Sequence, residues 1–112
     1  MIDVVSVLQA PINDDKAATM LIGLKPTTTK AHVVRAILEN LAFWVKVLYE
    51  TILSETRIPL SHIRANGGVC NNDILMQLIA DFTNQTIDRA KQRANMTSLG
   101  VAFLAGLTKV IV

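Results

Sequence analysis

This chain of 112 residues contains one cysteine, few aromatic residues and a small net charge. These properties exclude several classes of protein. The one cysteine, Cys70, excludes an internal disulfide framework and fits a reducing compartment. A net charge of +2 is too small to indicate a nucleic acid partner, and no basic stripe interleaves with aromatic residues. Two histidines and one cysteine, scattered along the chain, also lack the ligand spacing of a metal site. We therefore expect neither a nucleic acid partner nor a bound metal in these residues.

Long hydrophobic runs are missing as well. The segment Met1–Ala10 has no basic start and only a short apolar stretch, so it does not look like a signal peptide. The run Leu99–Val112 is interrupted by Lys109 and falls short of the approximately 20 apolar residues that a bilayer span needs. We expect no membrane contact and a cytoplasmic location.

Hydrophobic residues, in contrast, make up 51% of the chain and charged residues 18%, which suits one folded domain with a buried core. Runs with strand-like and helix-like spacing alternate along it. Strands are predicted at Ile2–Leu8, Ile58–Ala65 and Thr86–Asp88, a further apolar run at Ala17–Leu24, and helices at Thr28–Ser54, Asp73–Phe82 and Leu99–Val110. This alternation predicts an α/β architecture.

The longest predicted helix carries one apolar stripe at helical spacing, which we expect to be buried. Its members are Val34, Ile37, Leu38, Leu41, Val45, Leu48 and Ile52. Trp44 lies beside this stripe, and two interpretations of it stay open. It either packs locally on its own domain or marks a surface that a partner covers. The last predicted helix is apolar nearly all round, a pattern that is typical of buried helices.

Residues Arg64–Gln77, RANGGVCNNDILMQ, hold the most informative local pattern. A strand leads into paired glycines, Gly67 and Gly68, and a helix is predicted to begin near Asn71 or Asn72. Glycine lets a ligand approach the backbone closely, and a helix N-terminus adds unpaired N–H groups. The pattern alone fits either a ligand-binding turn or an ordinary capped turn.

Four blocks of sequence resemble the C-terminal domain of the FGGY carbohydrate kinases, in family order and over nearly the whole chain. They are SVLQAPINDD (Ser6–Asp15), GLKPTTTKAHVVRAILENLAF (Gly23–Phe43), the RANGGVCNNDILMQ segment and TSLGVAFLAGL (Thr97–Leu107). Within the family, the glycerol kinases are the most similar. The resemblance implies a helix-rich, partial ribonuclease-H-like (actin-type ATPase) domain. It also implies that residues 1–112 are the C-terminal part of a kinase nucleotide-binding domain, so that the chain is a fragment of an enzyme.

The same resemblance implies the ligands. A complete kinase of this family transfers a phosphoryl group from ATP, with Mg²⁺, to a polyol such as glycerol. Its adenosine contacts carry over to Gly68 and Asn72, and Gly67 shapes the turn. No catalytic and no metal-binding residue carries over, because the general base and the phosphate-binding loop lie upstream of the matched region. We therefore expect the 112 residues alone to be inactive.

One replacement leaves a second hypothesis open. Asn66 occupies the place of the family's usual aspartate and removes a charge there. The alternative to an enzyme fragment is a degenerate, non-catalytic binding or interaction module. The remaining charged residues are given no catalytic role: Asp14–Asp15 is expected to be a polar turn, Asp73 a first-turn helix residue and Arg89–Arg93 a solvated run. His32, near a helix start, is expected to be an exposed polar residue.

Overall fold

A computed structural model describes residues 3–5, 10–90 and 96–111. The strands are β1 (Asp3–Val5), β2 (Met20–Ile22), β3 (His62–Ala65) and β4 (Thr86–Arg89), and the helices are α1 (Lys30–Thr56), α2 (Asp73–Thr83) and α3 (Met96–Ile111). The architecture is a helix-rich α/β arrangement, as predicted. Among the described residues, no helix is both long enough and apolar enough to cross a membrane.

Helix α1 is delimited by local chemistry at both ends. Thr29 is the N-cap: its hydroxyl accepts a hydrogen bond from the backbone N–H of His32, and its own N–H donates to the His32 ring at 3.1 Å. At the other end, Arg57 adopts a left-handed conformation and donates its N–H to the Leu53 carbonyl. His32 is exposed, as predicted, and its ring serves to cap the helix.

The strands form two separate sheets of two strands each within the described residues. In the first sheet, β1 and β2 are antiparallel, with Val4 opposite Leu21. In the second, β3 and β4 are parallel, with Ile63 opposite Ile87, and α2 connects them. Strand β3 is shorter than the predicted run Ile58–Ala65, and its four residues pair one-to-one with the four residues of β4. Apart from β1, the predicted strand Ile2–Leu8 lies outside the described residues.

The core lies where α1 crosses α2. Leu75, Leu78 and Ile79 of α2 are buried, as their spacing predicted, and they cluster with Ala42 of α1. The rings of Phe43 and Phe82 stack across the two helices with centroids 4.6 Å apart. Cys70 also lies in this cluster, so it acts as a small packing residue next to the glycine turn.

The predicted burial of the whole α1 stripe is wrong for this chain. Only Leu38 and Val45 pack partly against the core, whereas Val34, Ile37, Leu41, Leu48 and Ile52 are exposed. The described side chains of α3 from Thr97 onward are exposed too, including Phe103. Helix α3, described from Met96 onward, already includes Thr97 and Ser98, ahead of the predicted start at Leu99. Apolar faces on two helices therefore have no covering layer among the described residues.

Candidate functional site

The segment between β3 and α2 forms the predicted turn. Gly67 has φ 98° and ψ 172°, a backbone conformation that is essentially restricted to glycine. Residues Gly68–Asn71 then make one 3₁₀ turn, in which the Cys70 N–H donates to the Gly67 carbonyl at 3.2 Å. Helix α2 follows at Asp73. Strand, glycine turn and helix N-terminus are thus arranged as the sequence predicted.

Gly68 exposes its backbone on the outer side of this turn. A Cβ atom placed on Gly68 would meet no atom within 4 Å, and its φ is not in the left-handed region. The two glycines consequently differ in role: Gly67 is required by the conformation of the chain, and Gly68 leaves an open approach to the backbone. The space next to the Gly68 Cα is therefore open to an atom of a ligand.

Asn72 is the N-cap of α2. Its Oδ1 accepts a hydrogen bond from the Leu75 N–H at 3.0 Å, and its backbone carbonyl accepts one from Met76 at 3.1 Å. The residue is exposed. Because Oδ1 is occupied by the cap, the group that this side chain chiefly offers to a ligand is its Nδ2 donor.

An ion pair fixes the start of α2 to the neighbouring strand. Arg89 Nη1 lies 2.6 Å from Asp73 Oδ1, with the Arg89 side chain 27% exposed and that of Asp73 84% exposed. The prediction of a solvated run is therefore wrong for Arg89, which lies in β4 and is half-buried. Lys91–Arg93, the rest of that run, lies outside the described residues. Asp73 keeps the first-turn position that the sequence predicted.

The end of β3 offers little to a cation. Asn66 is exposed at this point, directly before the glycines. Within residues 3–5, 10–90 and 96–111, no group of three His, Cys, Asp or Glu side chains is placed to hold a metal ion. Asp14 accepts a hydrogen bond from the Lys16 N–H at 3.0 Å, in a polar turn far along the chain from the glycines.

An apolar groove opens beside the glycine turn. Its volume is about 630 Å³, and it runs between α1 and the start of α2. Val69 and Cys70 of the 3₁₀ turn line one side, and Trp44 and Leu48 of α1 line the other. Trp44 is half-buried and lines this groove, outside the core cluster. A second cavity, of about 360 Å³, lies at the start of α1 and is lined by Lys25, His32 and Arg35 among others.

Comparison with known proteins assigns the chain to a protein family. Residues 2–108 match the FGGY family of carbohydrate kinases, C-terminal domain, and the chain belongs to this family. The individual relatives are glycerol kinases. The chain is 57% identical to glycerol kinase 5 of Xenopus laevis and 52% identical to glycerol kinase 5 of Homo sapiens, in each case over 100 residues.

The fold agrees with this assignment. The crystal structure of Plasmodium falciparum glycerol kinase with ADP superposes with a TM-score of 0.77, at 34% identity, over 99% of this chain and 22% of that one. The Xenopus laevis and human matches likewise cover 89% of this chain but only 21% and 19% of those proteins. The chain therefore spans about a fifth of the length of the relatives that it matches.

Proposed function

We propose that the chain contributes the adenosine side of the ATP site of a glycerol-kinase-like enzyme. In this proposal, residues 1–112 act as the C-terminal part of the nucleotide-binding domain. The observation that carries it is the open backbone at Gly68, which follows the glycine-restricted conformation of Gly67 and precedes the N-cap Asn72 by four residues. Family membership supports it, because the related glycerol kinase of Plasmodium falciparum was crystallised with ADP.

Each residue of the turn has a distinct part in the proposed site. The adenosine lies on the backbone of Gly68, where no side chain obstructs it. Asn72 donates a hydrogen bond from Nδ2 to a ring nitrogen of adenine, which is a hydrogen-bond acceptor. Gly67 lets the chain turn sharply after β3, and Gly68 lies exposed directly after it. The Asp73–Arg89 ion pair links the first turn of α2, directly after Asn72, to β4.

The rest of the reaction belongs to the preceding part of the enzyme. We propose transfer of the γ-phosphoryl group of ATP to a hydroxyl of glycerol or a related polyol, with release of ADP. Phosphoryl transfer depends on positioning and charge stabilisation at the γ-phosphate, and an adenosine contact supplies neither. Binding of the Mg²⁺ is assigned to that preceding part as well, since no group of three His, Cys, Asp or Glu side chains among the described residues is placed to hold a metal ion. A cytoplasmic setting is part of the same proposal, since Cys70 is a free, buried thiol.

A non-catalytic interaction module is the second candidate. It is favoured by Asn66, which places an amide where the resemblance leads us to expect a carboxylate, and by the exposed apolar faces of α1 and α3. The two candidates differ in one measurable property, because a module of this kind does not need to bind a nucleotide.

The test uses a chimaeric kinase: glycerol kinase 5 of Xenopus laevis carrying this chain in place of its matched 100 residues. Isothermal titration with ATP should show saturable binding, and glycerol 3-phosphate should accumulate only when ATP is present. The control is the same relative without the segment. A folded chimaera that does not bind ATP would reject the enzyme proposal and favour the interaction module.

A further inference from the structure

Asn72 alone can recognise only part of an adenine base. One edge of adenine carries N7, an acceptor, beside the 6-amino group, a donor, and an asparagine with both polar groups free can bind the two together. In this structure the Asn72 Oδ1 accepts the Leu75 N–H at 3.0 Å to cap α2, which leaves Nδ2 for the base. A donor satisfies N7 but not the 6-amino group. An acceptor for that amino group therefore has to come from a neighbouring residue.

Asp73 offers such an acceptor. It follows Asn72 directly and is the one acidic residue between Ala65 and Gln77. Its Oδ1 receives a hydrogen bond from Arg89 Nη1 at 2.6 Å, whereas no hydrogen bond to its Oδ2 is present among the described residues. The side chain is 84% exposed despite this ion pair, so Oδ2 is accessible to a ligand.

Arg89 lies at the same edge of the β3–β4 sheet as the glycine turn. The two strands are parallel, Ala65 lies opposite Arg89, and the Ala90 N–H donates to the Ala65 carbonyl at 3.1 Å. The glycine turn leaves this carboxyl end of β3. Ligands of α/β proteins bind beside the carboxyl ends of parallel strands. The half-buried Arg89 therefore anchors the Asp73 carboxylate at the edge where a ligand of this turn is expected.

A carboxylate at this place distinguishes purines by the group at C6. It only accepts hydrogen bonds, so it binds a 6-amino group and repels a 6-oxo group, which is itself an acceptor. The amide of Asn66, exposed before Gly67, offers both a donor and an acceptor and does not discriminate in this way. Discrimination between the two classes of purine therefore depends on Asp73.

We propose that Asp73 determines the base specificity of the site: its Oδ2 accepts a hydrogen bond from the 6-amino group of adenine while Arg89 holds Oδ1. Asn72 Nδ2 donates to N7 of the same base, which 6-amino and 6-oxo purines both possess. The inference rests on the proposed function, because it concerns the base of the same nucleotide. It gives the Asp73–Arg89 pair a role in recognition, although so exposed an ion pair adds little to stability.

The experiment compares ATP with inosine triphosphate, which has a 6-oxo group and keeps the ribose, the phosphates and N7. Isothermal titration of the chimaeric kinase with each nucleotide gives the ratio of the two dissociation constants. The unsubstituted chimaera should bind ATP at least about tenfold more tightly than inosine triphosphate.

Two substitutions at Asp73 should change this preference to different extents. Asp73→Asn should reduce it at least about fivefold, because Arg89 only donates and so keeps the amide oxygen, which turns the amide nitrogen toward the 6-oxo group. Asp73→Ala removes the acceptor without adding a donor, and it should give an intermediate preference. Either variant is decisive, so misfolding of one leaves the other to test the proposal.

Asp81→Asn is the matched control. Asp81 is exposed, lies about two turns further along α2 and accepts a hydrogen bond from Gln77 Nε2 at 2.7 Å. The same substitution at this position should change the preference by less than roughly twofold, because it does not alter the groups beside Asn72. Thermal melting of each variant checks its fold.

The outcomes separate this inference from the proposed function. If the chimaera binds ATP but both Asp73 variants keep its preference, the inference is overturned and the proposed function stands. Equal affinity of the unsubstituted chimaera for the two nucleotides, or equal effects of Asp73→Asn and Asp81→Asn, would overturn it as well. A folded chimaera that binds neither nucleotide rejects the proposed function and this inference with it.

Discussion

Asn72 carries two separable roles, and this makes it the sharpest test of the nucleotide site. Its Oδ1 caps α2 through the Leu75 N–H at 3.0 Å, and its Nδ2 is proposed to donate to adenine. Asn72→Ala in the chimaeric kinase removes both groups. Asn72→Ser keeps a capping oxygen, since serine is about as good an N-cap as asparagine, but its shorter side chain no longer carries the donor to the ligand.

The two roles have different expected magnitudes. Loss of the cap in Asn72→Ala should lower the free energy of unfolding by about 0.5–2 kcal/mol. Loss of a neutral hydrogen bond to adenine costs about 0.5–1.5 kcal/mol, which weakens ATP affinity roughly two- to twelvefold. We therefore expect both variants to lose affinity to a similar extent, and only the alanine variant to lose stability as well.

The assay combines isothermal titration with ATP and thermal melting of the same preparations. Because the serine variant should melt like the parent, its loss of affinity reports on the ligand contact alone. A serine variant that binds ATP as tightly as the parent, beside an alanine variant that only melts earlier, would show that Asn72 is a helix cap and nothing more.

The remaining predictions concern the turn, its ion pair and the isolated chain. Gly68→Val in the chimaeric kinase should reduce ATP affinity more than Asn72→Ala does, with little change in melting, because its Cβ enters space that is open in the unliganded protein. Gly67→Ala should instead destabilise the fold by about 1–3 kcal/mol in denaturant unfolding, since alanine does not tolerate φ 98° with ψ 172°; unchanged stability would mean that this turn has another conformation. Arg89→Gln should cost less than about 1 kcal/mol by the same measurement, because its partner Asp73 is largely exposed, and a much larger loss would indicate a deeper role. The isolated 112 residues should produce no glycerol 3-phosphate from ATP and glycerol above background in a coupled assay. Product from a rigorously purified sample would refute the proposal that phosphoryl transfer depends on the preceding part of the enzyme.

Features that depend on local chemistry were predictable from the sequence. The turn at Gly67 and the cap at Asn72 follow from residues that are neighbours along the chain, and the structure contains both. The buried face of α2 was predictable for a similar reason, because its apolar spacing leaves one choice of inner face. The assignment of Gly68 and Asn72 to adenosine stays a prediction, since it depends on a ligand.

Features that depend on distant partners were not predictable in this way. The Asp73–Arg89 contact joins residues 16 positions apart through the parallel pairing of β3 and β4, which no local pattern encodes. The apolar stripe of α1 shows a second limit of prediction from the sequence. Periodicity indicated which face is apolar, but burial also needs a covering layer, and Leu41 and Leu48 have none within the described residues.

The most direct measurement is a crystal structure of the chimaeric kinase with ADP. We predict that the adenosine lies in van der Waals contact with the Gly68 backbone, at about 3.5–4 Å, and that Asn72 Nδ2 lies within about 3.2 Å of an adenine ring nitrogen. ADP bound with its adenosine in contact with neither residue would contradict the account.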